Sequence, residues 1–100
     1  MDVRKGSKTF GQWDSTVLSS ERKNALLTAP GFAHGCVSLV DDTDILIISD
    51  SYFLEEHGVG IIWNDKDLNI DWNLNGETPF VSEQHKKYMP FQEFKNKYGA

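Results

Sequence analysis

Short apolar segments alternate with polar turns along most of the chain. Five segments have the length and the largely apolar composition of β-strands. They cover residues 12–18, 24–28, 36–40, 44–49 and 60–63. About five strands separated by frequent turn signals predict an all-β protein, either a sandwich or a barrel.

The most apolar of the predicted strands is the segment 44–49. It contains four consecutive aliphatic residues, Ile45 to Ile48. Because the run is unbroken, it predicts a strand that is buried on both faces, as in the centre of a sandwich or barrel.

The last twenty residues predict helix instead of strand. Ser82 has the residue type of a helix N-cap for a short turn that runs to Lys87. Pro90 then opens a final helix, which Gly99 ends. Within that helix an apolar stripe repeats at i, i+3 and i+7, formed by Phe91, Phe94 and Tyr98. We expect the stripe to pack on the sheet.

A proline–glycine pair divides the chain between two predicted strands. No helix continues through Pro30 and Gly31, because proline lacks an amide donor and glycine disfavours helix. The pair therefore predicts a tight turn. His34 follows it between two small residues, which leave its ring room to face a cavity. On the residues alone, a histidine that only satisfies a backbone partner is the commoner interpretation.

Composition narrows the functional classes. The chain has 100 residues, 39% hydrophobic and 12% aromatic, as expected for one small globular domain. Its net charge of −5 argues against nucleic acid as a partner. No apolar run is long enough for a signal peptide or a membrane span, so no membrane partner is expected. Cys36 is the only cysteine, which excludes an internal disulfide and favours the cytoplasm.

Four blocks of the sequence follow the motifs of one enzyme family. Residues 2–13, DVRKGSKTFGQW, resemble the family block D-x-R-K-x-S-P-T-F-G-x-W. Residues 30–35, PGFAHG, resemble its P-x-G-F-A-H-G region. Residues 56–57 and 60–72 resemble its blocks E-H and G-I-x-W-x-D-x-x-L-x-I-x-W. No gap is needed between positions 2 and 72. The family that the chain resembles in these blocks is that of the dTDP-4-dehydrorhamnose 3,5-epimerases.

The resemblance implies a fold and an activity. The fold would be a cupin-like (jelly-roll) β-sandwich with a short C-terminal helix, in a chain that matches only the C-terminal portion of the family domain. We therefore predict a single partial cupin domain over residues 1–100, with strands over about 1–81 and a helical tail over about 82–99. The implied activity is epimerisation of a nucleotide-linked 4-keto-6-deoxy sugar, in deoxysugar and cell-surface polysaccharide biosynthesis. It uses no cofactor.

The implied site is incomplete in this chain. The sequence lacks the Arg-Gly-x-His motif that carries the family's catalytic histidine. Ile47 stands at the position of the proton-donating tyrosine, and His85 at that of the carboxylate partner of the catalytic histidine. Gly58 and Gln84 replace a glutamate and a basic residue that bind substrate. No residue is therefore predicted to be catalytic, and the scattered histidines predict no metal site.

Two substrate-binding positions are retained. His34 matches the family's substrate-contacting histidine, and Phe53 stands where an aromatic ring stacks on the thymine. The resemblance thus implies a nucleotide-sugar ligand. It also implies that the chain completes its sandwich as a homo-oligomer or with a separate N-terminal half.

Three hypotheses follow. The chain is an epimerase-family protein that is catalytically impaired, a non-catalytic sugar-nucleotide-binding or interaction module, or one half of a split epimerase. An adjacent reading frame that encodes Arg-Gly-x-His would favour the split enzyme.

Overall fold

The computed structural model describes residues 1–99. Its regular elements are short: a 3-10 turn at Glu55–His57, helix α1 at Glu83–Lys86, helix α2 at Phe91–Phe94, and a π-helical turn at Lys95–Gly99 that continues α2. The predicted domain end at Ala100 lies outside the described residues. No helix in this range is long and apolar enough to cross a membrane.

The predicted strands do not pair with one another within residues 1–99. Pairing is limited to two isolated bridges, an antiparallel one between Asp2 and Phe32 and a parallel one between Ile61 and Met89. A strand exists only when a neighbouring strand lies alongside it and accepts its hydrogen bonds. The all-β cupin sandwich therefore stays a prediction.

The predicted cap at Ser82 and the helical backbone after Pro90 are confirmed, whereas the packing of the apolar stripe on a sheet stays a prediction. The Ser82 hydroxyl accepts a hydrogen bond from the His85 amide at 3.3 Å and caps α1. Pro90 is the residue before α2, and helical backbone runs on to Gly99. These outcomes depend on a few adjacent residues, so the sequence alone was enough to predict them.

Helix α2 lies within a region that we call the packed region, residues 1–13, 31–33, 60–72 and 88–99, and packs against the other parts of it. The ring of Phe91 stacks on that of Phe10 with centroids 5.8 Å apart. Gly11 has a φ of +82°, and a Cβ there would lie 2.7 Å from the Phe91 ring, so this position requires glycine. Phe94 is buried and contacts Tyr98, whose centroid is 5.0 Å away. The stripe is thus buried at Phe94 and half exposed at Tyr98.

A buried carboxylate, that of Asp65, joins the middle of the packed region to α2. It accepts hydrogen bonds from the amides of Asp67, Leu68 and Phe91, at 2.9, 3.1 and 2.8 Å. The Trp13 indole donates to the Leu68 carbonyl at 2.8 Å. These contacts fix the loop 65–69 against the start of α2.

Outside the packed region many apolar side chains lie in solvent. Leu46 and Ile48, within the aliphatic run, are 86% and 87% exposed. The prediction that the run Ile45 to Ile48 is buried on both faces is wrong for this chain taken alone. Large exposed apolar residues also occur on the other predicted strands and loops: Leu26, Leu27, Leu39, Val40, Tyr52 and Phe80.

The total exposed area shows how incomplete the packing is. The chain exposes 8846 Å². A compact protein of 11.4 kDa exposes about 5,800 Å², so roughly 3,000 Å² is in excess. Obligate interfaces bury about 1,000–2,500 Å² or more on each partner, so the excess is at least as large as the surface that another polypeptide typically covers.

Replacing Phe94 with alanine is expected to lower the free energy of unfolding by about 3–5 kcal/mol, because it removes a buried ring and leaves a cavity. The measurement is urea unfolding followed by tryptophan fluorescence. Gln92→Ala, at an exposed position of the same helix, should change the free energy by less than about 0.5 kcal/mol. An unchanged midpoint for Phe94→Ala would mean that the helix is a loose tail.

Candidate functional site

The candidate site starts at a tight turn. The Phe32 amide donates to the Ala29 carbonyl at 3.3 Å, with Pro30 and Gly31 at the two central positions. Gly31 has a φ of +88°, which a type II turn requires at its second central residue. The predicted proline–glycine turn is therefore confirmed, and it places His34 two residues beyond its end, exposed to solvent.

The first residues of the chain hold this turn. The Val3 amide donates to the Gly31 carbonyl at 3.0 Å, and the Ala33 amide donates to the Met1 carbonyl at 2.9 Å. The Met1 nitrogen donates to the Ala33 carbonyl, also at 2.9 Å. The backbone immediately before His34 is therefore fixed by three hydrogen bonds.

A second buried carboxylate organises the block 2–9. Asp2 is 3% exposed and accepts hydrogen bonds from the Arg4 amide and guanidinium. It also accepts from the hydroxyls of Ser7 and Thr9, at 2.6 and 2.5 Å. The Arg4 guanidinium in turn lies over the Phe32 ring, 4.8 Å from its centroid. Asp2 is not among the site residues predicted from the sequence, although its Asp-x-Arg spacing with nearby Ser and Thr is a usable signal.

Arg4, followed by Ser7 and Thr9, lowers the pKa of Asp2 well below its usual range, because each hydrogen bond favours the charged form. A carboxyl group whose pKa is lower in the folded than in the unfolded state stabilises the fold above its unfolded pKa of about 3.9. That contribution decreases as the pH falls toward the lower folded pKa.

The pH dependence gives a prediction. The difference in the free energy of unfolding between the wild type and Asp2→Asn is expected to be constant near neutral pH and to narrow as the pH falls below about 4. Urea unfolding at a series of pH values measures it. A difference that stays the same from neutral to strongly acidic pH would contradict the assignment of a charged, hydrogen-bonded Asp2.

Phe53 lies in a different environment. It is 81% exposed and is separated by one residue from the 3-10 turn Glu55–His57. The His57 amide closes that turn by donating to the Leu54 carbonyl at 3.0 Å. Phe53 thus stands outside the packed region, on a segment that is available for a ligand or for another chain.

Two open hollows in the described part of the chain lie away from the predicted binding residues, since neither is lined by His34 or Phe53. One, of about 620 Å³, is lined by Trp63 and by Trp72, whose indole donates to the Trp63 carbonyl at 2.8 Å. The other, of about 520 Å³, is lined by residues that include Tyr88 and Glu93. Neither hollow therefore unites the two predicted binding residues.

Metal-ligating side chains are dispersed in the structure. Among the described side chains of residues 1–54 and 56–99, no three of the His, Cys, Asp and Glu types come together in a way that could hold a metal ion.

The turn before His34 and the block 2–9 both lie within a match to a known protein family. The family model of dTDP-4-dehydrorhamnose 3,5-epimerase matches residues 1–93. The chain belongs to this epimerase family. The family that the four sequence blocks indicated is thereby confirmed.

Individual relatives agree. The chain is similar to the dTDP-4-dehydrorhamnose 3,5-epimerase of Pseudomonas aeruginosa, with 39% identity over 93% of this chain and 51% of the relative. It is 36% identical to the Shigella flexneri protein of the same name, over 84% of this chain and 45% of the relative. With the Methanothermobacter thermautotrophicus protein the identity is 33%, over 93% and 51%. The chain thus spans about half the length of the curated relatives it matches. No solved structure matches it.

By the resemblance, the positions at which this chain lacks the family's proton donor and the carboxylate partner of its base lie outside both the block 2–9 and the His34 turn. Ile47, at the tyrosine position, is 67% exposed within the apolar run. His85, at the carboxylate position, lies in α1 with its ring stacked on Tyr88 at 5.0 Å. Neither side chain supplies the group that the epimerase pattern has at its position.

Proposed function

We propose that this epimerase-family chain binds a dTDP-linked 4-keto-6-deoxy sugar through His34 and Phe53 and does not itself complete the epimerisation. The observation that carries the proposal is the His34 turn, an exposed histidine on backbone that three hydrogen bonds hold, inside the segment that matches the family. The curated relatives are named as 3,5-epimerases of dTDP-4-dehydrorhamnose, which supplies the ligand class.

The chemistry supports binding over catalysis. Epimerisation next to a ketone needs a base that removes the α-proton and an acid that returns one from the opposite face. An isoleucine at position 47 has no proton to transfer. A histidine at position 85 does not orient a second imidazole as a carboxylate does. A site can keep its ligand contacts after the reacting groups are replaced, because function depends on individual residues of a fold.

The exposed apolar surface supports association. Ile45 to Ile48 and the neighbouring exposed residues would form an aggregation-prone edge if they stayed uncovered. We propose that a second copy or a separate N-terminal half covers them and completes a cupin-like sandwich. If the occupant is an N-terminal half, the assembly is a split epimerase.

The location is proposed from cysteine usage. Cys36 is exposed and is the one cysteine of the sequence. Sparse cysteines without an internal disulfide are typical of a reducing compartment, and we therefore propose the cytoplasm.

Isothermal titration calorimetry with dTDP tests the binding proposal. The wild type is expected to bind, and Phe53→Ala is expected to bind about tenfold more weakly or worse, since stacking on a base is worth about 1–3 kcal/mol. His34→Asn should also weaken binding. Two matched controls, Phe80→Ala and His57→Asn, replace exposed residues of the same types outside the proposed contacts.

The controls are expected to bind dTDP as the wild type does. Absence of heat with the wild type would contradict the ligand class. Equal affinities for the wild type, His34→Asn and Phe53→Ala would show that the nucleotide binds elsewhere.

A further inference from the structure

Asp2 has the smallest exposed fraction of the described residues, and its carboxylate is the centre of a local network. Its Oδ2 accepts three hydrogen bonds, from Nη2 of Arg4, the Ser7 hydroxyl and the Thr9 hydroxyl. Its Oδ1 accepts from the Arg4 amide and Nε at 2.9 and 3.1 Å. One charged group therefore closes the whole loop 2–9.

The same residue is joined to the turn that precedes His34. The backbone of Asp2 forms the antiparallel bridge with Phe32. The residues on either side of it, Met1 and Val3, make the hydrogen bonds to Ala33 and Gly31. Asp2 thus connects the loop 2–9, through its side chain, to the backbone that precedes His34, through its main chain.

Arg4 adds a second link. Its guanidinium is held by Asp2 and lies over the Phe32 ring. A Cβ at Gly31 would collide with Cγ of Arg4, so the turn and the arginine fit only because position 31 is glycine. Removing the carboxylate would release Arg4, and with it the contact on Phe32.

We infer that Asp2 is a positioning residue, which fixes the backbone at positions 31–33 and thereby sets where the His34 imidazole meets the ligand. The ligand part of this inference rests on the proposed function. The positioning part does not, because it concerns the backbone alone. A merely structural role would instead stabilise the packed region as a whole.

Asp65 offers a matched control. It is also a buried carboxylate that closes a loop by accepting backbone amides. Its third hydrogen bond comes from the start of α2, at Phe91, and not from the His34 turn. Asp65→Asn should therefore loosen the packed region at a different place.

Hydrogen exchange of individual amides, measured by NMR on the purified protein, tests the inference. In Asp2→Asn the Ala33 and Val3 amides are expected to exchange at least about tenfold faster than in the wild type, as local opening becomes easier. The Leu68 and Phe91 amides should be unchanged. In Asp65→Asn the pattern should be reversed. Thr9→Val, which removes one hydroxyl donor and keeps the carboxylate, should give a smaller acceleration at Ala33.

Equal acceleration at Ala33 and Leu68 in Asp2→Asn would assign Asp2 to general stability and overturn the inference. An unchanged Ala33 amide would overturn it as well. If Asp2→Asn does not fold, the comparison of Thr9→Val with the wild type carries the same two outcomes.

A second readout concerns the ligand. Asp2→Asn is expected to weaken dTDP binding about fivefold or more, and adding His34→Asn should cause little further loss, since both changes remove the same contact. Additive losses would contradict positioning through His34. If the wild type binds no dTDP, the proposed function is wrong. The exchange rate of the Ala33 amide still tests the positioning role of Asp2, because that measurement needs no ligand.

Discussion

At low micromolar concentration the purified protein is expected to sediment as a dimer or a higher oligomer, with Ile45 to Ile48 shielded from solvent. The physical reason is the excess of roughly 3,000 Å² of exposed surface over a compact protein of this mass. At about 25 cal/mol per Å² of apolar area, covering even a few hundred Å² of it is worth several kcal/mol.

A charge in the apolar run tests which surface is responsible. Ile48→Asp, at a residue that is 87% exposed in the single chain, is expected to shift the protein toward monomer. Ser51→Asp places the same charge at an exposed polar position nearby and should leave the oligomer intact. A stable, well-folded monomer in the wild type would contradict the proposed association.

The second large effect is the absence of catalysis. The protein is expected to cause no measurable incorporation of solvent deuterium at the two carbons that flank the ketone of a dTDP-4-keto-6-deoxy sugar. Loss of a general acid or base typically removes about 10²–10⁴ in rate for each group. By the resemblance to the family, Ile47 replaces the acid and His85 replaces the carboxylate partner of the base, so the expected rate is reduced by both losses.

Mass spectrometry of the recovered sugar measures the incorporation, with the Pseudomonas aeruginosa epimerase as the positive control. Incorporation by the wild type that disappears in His34→Asn would show that His34 has become the base. In that case the interpretation of position 34 as a binding residue would be wrong.

What the sequence predicted well was local. Three local features are confirmed: the Pro30–Gly31 turn, the Ser82 cap and the helix after Pro90. Each depends on residues that lie only a few positions apart in the sequence. The family was also predictable, because four blocks share one register.

What the sequence could not predict depends on distant partners. Strand pairing and the burial of Ile45 to Ile48 require a neighbouring segment, and none pairs with them within residues 1–99. The contact of Asp2 with the His34 turn joins positions far apart in the chain. The Asp-x-Arg spacing indicates a local ion pair but not where the loop docks.

The proposed nucleotide-sugar site consists of His34 and Phe53. It is tested by a titration of ¹⁵N-labelled protein with a dTDP-linked 4-keto-6-deoxy sugar, followed by amide chemical shifts. We expect saturable shifts at Ala33, His34, Gly35 and Phe53, with the sugar recovered unchanged. Shifts confined to the hollow around Tyr88 and Glu93, or no shifts at all, would contradict it.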